Sequence, residues 1–289
     1  MSLADKLGKK FVTTVEIDPP RGVDISKPLQ RAQLLKQFDA VDIADSPMAR
    51  VRMSPVALAH LIRESIGIET ILHMTCRDRN LLSLQSDLLG AYALGVENVL
   101  ALTGDPPGVG DYPNATGVFD VKSEGLVDII SKLNSGADLA GNKLSESPKF
   151  CIGVAVNPTA EDMDKELGRL KGKVDMGADF ALTQPVYSMS VLDKFMRKAA
   201  QIGTHILVGV LPLRSSRHCE FLHNEVPGIT VPDEVRARMR EVGDDGGRQE
   251  GIAIAAEFMA EAKSLVSGAY FMPPFGDYEM AVEAARGCF

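Results

Sequence analysis

NVLALTGDPPG, Asn98 to Gly108, begins as a short apolar run (Val99, Leu100, Ala101, Leu102) and stops at Thr103-Gly104-Asp105 before Pro106-Pro107-Gly108. An unbroken apolar run of this length reads as a strand buried on both faces, as in parallel sheets. The carboxylate left at its mouth has a glycine beside it and two prolines stiffening the loop behind. That arrangement suits a ligand or a reacting atom. Other apolar runs end alike: Glu16, Asp45, His73, Asn157 and Gln184 each lie at or near the last residues of one.

Working outward, strands are expected at 11–18, Ala40–Asp45, Thr70–Thr75, Val99–Leu102, Phe150–Asn157, Phe180–Pro185, His205–Leu213 and Gly268–Met272. Helical spacing fills the intervals: 28–38, a helix opened by Ser54-Pro55, Leu81–Leu94, Ser123–Asn134, a stretch ending at Met176, and Met189–Gln201. Then come Ser216–Leu222, a proline-marked loop at Pro227–Pro232, the pair 232–241 and 247–266, and finally Tyr278–Ala285. Ser54 caps a helix whose first turn accepts Pro55, while Gly95, Gly177 and Gly203 stand where helices stop. The loop Pro106–Lys122 is too long to be a mere connection, and loops of that length usually serve a site. Eight short strands alternating with helices predict a (β/α)8 TIM barrel, an α/β fold, as a single domain over residues 1–289. A doubly wound open sheet is the rival. Against it, no GxGxxG follows the first strand, and polar residues end almost every strand instead of gathering at one switch point.

The totals narrow the function. With 45% hydrophobic and 24% charged residues the chain can bury a sizeable core, and its net charge of −8 argues against nucleic acid as the main partner. A small anionic ligand remains open, since it needs only a local patch or a helix N-terminus. Four scattered cysteines, Cys76, Cys151, Cys219 and Cys288, show no CxxC and read as free thiols of a reducing cytoplasm. MSLADKLGKK lacks an apolar core of signal-peptide length, and no run approaches ~18 apolar residues, so a cytoplasmic protein without a membrane span is expected.

Several residues could carry chemistry. Glu16 sits among Val12, Thr13, Thr14, Val15 and Ile17, where desolvation would raise its pKa and make it a general acid; the plain alternative is a structural carboxylate paired with Arg21 or a neighbouring strand. Asp105 offers a carboxylate to a ligand, or closes a turn on its own backbone. His73 reads as a hydrogen-bonding group at a barrel mouth; His218 and His223 give no metal-ligand spacing with it, so no metal is expected. Arg77 and Arg79 either hold an anion or form a salt-bridged loop. Gln184 can donate and accept toward a heterocycle edge. Lys171 and Lys173 are solvated charges unless a ligand lies over them.

Taken in order, VEIDPP, HMTCRDRN, ALTGDPPG, KVDMGADFALTQP, GVLPL and YFMPPFGDYEMA resemble the methylenetetrahydrofolate reductase family over essentially the whole chain. The likeness is to the short bacterial branch also found fused to homocysteine methyltransferases. It implies a flavin-dependent oxidoreductase of one-carbon metabolism, with FAD (FMN as alternative) at the carboxyl face of the barrel. That enzyme would reduce 5,10-methylenetetrahydrofolate to 5-methyltetrahydrofolate by hydride transfer from the reduced flavin. By motif, Glu16 matches the family's acid, Asp105 the residue beside both flavin and pterin, and Gln184 the glutamine that contacts folate. His73, Thr103, Gly104, Phe119, Asn157 and Lys173 fall where the family contacts flavin. The chain departs from the pattern at Thr103, Asn157, Gly172 and Asp277, where many relatives carry Arg, Tyr, a basic residue and Arg respectively. NAD(P)H or an electron-delivering partner subunit would reduce the flavin, and a homo-oligomer is expected. A flavin-free folate methyl-transfer barrel and an electron-receiving subunit are the competing readings.

Overall fold

In the computed structural model the apolar runs become strands covered on both faces, as closure into a parallel barrel requires. Every residue is described except Pro227, as are all side chains but those of Pro227 and Asp244, so the expected loop Pro227–Pro232 begins outside the described residues. The strands are β1 (Val12–Ile17), β2 (Ala40–Ile43), β3 (Glu69–Thr75), β4 (Asn98–Leu102), β5 (Cys151–Val156), β6 (Phe180–Pro185), β7 (His205–Val210) and β8 (Gly268–Phe271). They pair in sequence order, all parallel, and β8 returns to β1. The barrel expectation holds, and the open sheet is set aside.

Alternation along each strand divides the core. Outward residues such as Val15, Ile43, Leu72, Val99, Val154 and Val208 pack beneath the helices. Inward residues Val12, Ala40, Ile71, Leu100, Phe180, Leu207 and Tyr270 fill the barrel itself. The covering helices are α2 (Ser26–Leu34), α3 (Pro55–Ile66), α4 (Leu81–Ala93), α5 (Ser123–Asn134), α6 (Met163–Asp175), α7 (Met189–Ala199), α8 (Ser216–Glu225), α9 (Asp233–Ala262) and α10 (Tyr278–Ala284). Differences from expectation sit at ends. The expected 28–38 helix ends at Leu34, where the chain tightens so that Phe38 buries. β7 stops short of Pro212, which has no N–H for a ladder. The expected pair 232–241 and 247–266 is present as two helices that meet at a kink at Gly243, φ +65°, and together make up α9. No helix among the described residues is long and apolar enough to cross a membrane. All four cysteines are free and buried, and burial pushes the Cys76 thiol up to about 12.

An element without periodicity to announce it closes the amino end of the barrel. α1 (Leu3–Lys6) is a single turn fixed by a capping box: Ser2 Oγ accepts from the Asp5 N–H, and the Asp5 carboxylate accepts from the Ser2 N–H at 3.1 Å. Leu3 is wholly buried and joins the barrel-filling cluster. Lys6 and Lys10 reach Asp39 at 3.0 and 2.7 Å, and Asp39 in turn accepts from the Thr13 N–H of β1. Leu3→Ala therefore removes a barrel plug and is expected to cost about 2–4 kcal/mol in denaturant-unfolding free energy. A cost below about 1 kcal/mol would mean that α1 only decorates the surface.

Candidate functional site

All strands run the same way around a closed barrel, so their carboxyl ends share one rim. Below that rim four polar side chains point inward from neighbouring strands: Glu16 on β1, Asp42 on β2, His73 on β3 and Tyr270 on β8. Register sets Glu16 directly opposite Asp42. The Tyr270 hydroxyl donates to Oε2 of Glu16. His73 Nε2 lies 3.3 Å from Asp42 Oδ1, and its ring meets that of Tyr270 edge-on with centroids 6.4 Å apart. Asp42 is fully buried, and its Oδ2 and the Thr14 hydroxyl have no hydrogen-bond partner among the described residues.

Burial dominates the electrostatics here. It raises the pKa of Glu16, helped by the neighbouring charges of Asp18 and Asp42 and opposed by His73 and the Tyr270 hydrogen bond. For His73 burial acts downward, but the bond to Asp42 and the charges of Asp42, Glu16 and Asp45 outweigh it, and the net shift is upward. Both shifts favour the protonated form, that of Glu16 through burial and that of His73 through the carboxylates around it. A half-buried carboxyl of raised pKa has the chemistry a general acid needs. Sequence reasoning brought out Glu16 and His73 and missed Asp42 and Tyr270. The signal for Asp42 was a carboxylate in the middle of a four-residue buried strand, AVDI.

On the rim, Asp105 and Gln184 are exposed, at the exits of β4 and β6. Asp105 Oδ2 accepts from the Met48 N–H at 2.8 Å instead of closing a turn on its own backbone. That bond ties the β4 exit to the loop after β2, where Ser46, Met48 and Ala49 all have positive φ. Gly104 adopts φ +92°, and a Cβ there would lie 2.8 Å from Thr75 Cβ, so only glycine fits. Val118 and Phe119 donate their N–H groups to Arg77 and Cys76 carbonyls, folding the long 106–122 loop back over β3, with Phe119 at φ +44°.

The remaining expected site residues carry structural bonds. Thr103 Oγ1 accepts from the Ser123 N–H and caps α5. Asn157 Oδ1 accepts from the Thr159 N–H and hydroxyl, an Asx turn. Lys173 is buried, donates to the Ala155 carbonyl at 3.3 Å, and has its pKa lowered by burial. Lys171 pairs with Asp175 at the surface. Arg77 bonds Asp78, and Arg79 bonds Asp45 and Asp87 at 2.7 and 2.9 Å, with both guanidinium groups largely buried rather than on an exposed loop. No group of His, Cys, Asp and Glu among the described residues could hold a metal ion. The structure thus gathers Glu16 and His73 inside the mouth, sets Asp105 and Gln184 on its rim, and engages Thr103, Asn157 and Lys173 in the walls.

A sequence model described as methylenetetrahydrofolate reductase matches residues 2–273. Methylenetetrahydrofolate reductase (NADH) 1 of Arabidopsis thaliana is 30% identical over 210 residues, 69% of this chain and 34% of that protein. The 5,10-methylenetetrahydrofolate reductase of Pectobacterium carotovorum subsp. carotovorum is 26% identical over 230 residues, 76% of this chain and 70% of that protein. The chain spans about a third of the length of the eukaryotic relatives it matches. Among solved structures, an uncharacterized protein from Clostridium thermocellum that binds two copies of 5-methyl-5,6,7,8-tetrahydrofolic acid shares the fold, with a TM-score of 0.63 and 15% identity over 96% of this chain and 94% of that one. The chain belongs to the methylenetetrahydrofolate reductase family.

Proposed function

We propose that this chain reduces 5,10-methylenetetrahydrofolate to 5-methyltetrahydrofolate with a bound flavin, and that Glu16 is the general acid. The observation that carries this reading is the half-buried Glu16 carboxyl, set inside the barrel mouth opposite Asp42 and held by the Tyr270 hydroxyl, with desolvation shifting its pKa upward. One nitrogen of the substrate's five-membered ring must take up a proton as its bond to the methylene carbon breaks, leaving an iminium that accepts hydride. Glu16 supplies that proton. The carboxylate it leaves is stabilised by the charge of His73, which the Asp42 carboxylate keeps protonated. A bound flavin would supply the hydride. The barrel contributes orientation, since hydride transfer needs donor and acceptor stacked at near-contact distance.

The residues present fit the ring of a flavin better than its phosphates. Gly104 keeps the β4 exit free of a side chain, and Asp105 and Gln184 offer an acceptor and an amide around the mouth. Lys173, the one lysine or arginine of the expected flavin set, is buried and bonded to a carbonyl, with Glu124 and Glu166 near its charge. That donor set supports binding of the isoalloxazine ring, common to FAD and FMN. A recess of about 520 Å³ near the exits of β7 and β8, lined by Arg214, Arg217, His218, Phe221 and Phe275, suits the aryl and carboxylate groups of a folate tail. His218 contributes no charge there, because burial and Arg214 pull its pKa down to about 4. NADH and NADPH stand in the names of plant and nematode relatives, and either nucleotide, or a partner subunit, would deliver the electrons. The engagement of Lys173 with the Ala155 carbonyl also leaves a second reading, a flavin-free barrel that moves a methyl group between folate and another acceptor.

Releasing and identifying the chromophore separates the two: a flavin is expected, and a colourless protein that still binds methyltetrahydrofolate would overturn the first reading. Glu16→Gln is expected to leave reduction of the flavin intact while slowing folate reduction by at least about 100-fold, the scale of a lost general acid. Equal loss in both half-reactions would count against Glu16 as the acid.

A further inference from the structure

Tyr270 enters the barrel from β8, the strand that closes the sheet onto β1. Its Cα lies opposite Thr14, two residues short of Glu16 on the same inward face. A phenol is long enough to climb that layer, and its hydroxyl reaches Oε2 of Glu16. Among the described residues no other group hydrogen-bonds the Glu16 carboxyl. We propose that Tyr270 is a positioning residue: its hydroxyl pins Oε2 of Glu16, leaving Oε1 as the atom that carries and delivers the proton. This rests on the reading of Glu16 as the acid.

The groups facing Glu16 divide by sign. His73 from β3 and the Tyr270 hydroxyl from β8 favour the carboxylate, while Asp42 from β2 and Asp18 at the end of β1 disfavour it. Tyr278 of α10 also lies within range of its charge. Tyr270 is the one member that acts on Glu16 through a bond of fixed direction. It therefore moderates burial, keeping the acid able to release its proton, and at the same time orients it. The aromatic ring makes a separate contribution, its packing against His73 and the barrel-filling cluster, which phenylalanine would keep.

The test is an infrared pH titration of the Glu16 carboxyl in the intact protein, the band being assigned by its loss in Glu16→Gln. In Tyr270→Phe the midpoint is expected to rise by about one pH unit, the size of one charge-assisted hydrogen bond. Fluorotyrosine placed at position 270, a more acidic phenol and stronger donor, is expected to lower it. Opposite shifts from two side chains of nearly equal size cannot come from misfolding. A coincident titration in Tyr270→Phe, or shifts of the same sign in both, would overturn the proposal. The alkaline limb of folate reduction should move with the carboxyl midpoint in Tyr270→Phe; a lower rate with an unmoved limb would also overturn it. If Glu16→Gln retains folate reduction, the acid reading fails on its own, and the infrared shift still reports whether Tyr270 governs the carboxyl.

Discussion

A carboxyl group that shares the inside of a parallel barrel with apolar side chains is the constraint from which the rest follows. Desolvation disfavours the charged form of Glu16, and the barrel sustains that desolvation because Phe180, Leu100, Ile71 and the Leu3 plug fill the space beneath it. The other inward polar groups answer to the same condition. A second buried carboxylate, Asp42, is tolerable because His73 lies against it; a charged pair costs less than two isolated charges in a low dielectric. Tyr270 closes the set by donating to Oε2 of Glu16.

Above this floor the rim does different work. Its loops are joined across the barrel by single bonds, Asp105 to Met48 and Arg77 to the Ser46 carbonyl, so the β2, β3 and β4 exits behave as one wall. The positive φ values at Ser46, Met48, Ala49 and Phe119 fall on these loops. Backbone of this kind persists only where its surroundings over-determine it, and such residues cluster at ligand sites. On the proposed reading, Glu16 lies as a proton donor under one flat ring system while the loop-built rim selects what stacks above.

Much of the fold was legible because burial on both faces writes itself as unbroken apolar runs; the helix Ser123–Asn134 and the strand Phe180–Pro185 have the expected bounds. Glu16, Asp105 and Gln184 were legible as polar residues at the ends of such runs. What could not be read depends on partners remote in sequence. The Tyr270–Glu16 bond spans 254 positions, and nothing within GAYF marks its tyrosine as more than core. Thr103 and Asn157 stand at strand ends like the others, but the Ser123 N–H at the start of α5 and a local Asx turn take up their side chains. The plug α1 is too short for periodicity to reveal, since packing and a capping box hold it rather than helix propensity.

The central claim is that Glu16 works in its protonated form, kept so by burial. The most direct measurement is the single-turnover rate at which methylenetetrahydrofolate reoxidises the reduced protein, followed across pH. With the pKa of Glu16 raised above the ordinary carboxylate range, the rate should stay high at acid pH and fall, about tenfold per unit, as pH rises through the raised pKa. A rate that is flat across the range, or that climbs with pH, would contradict it.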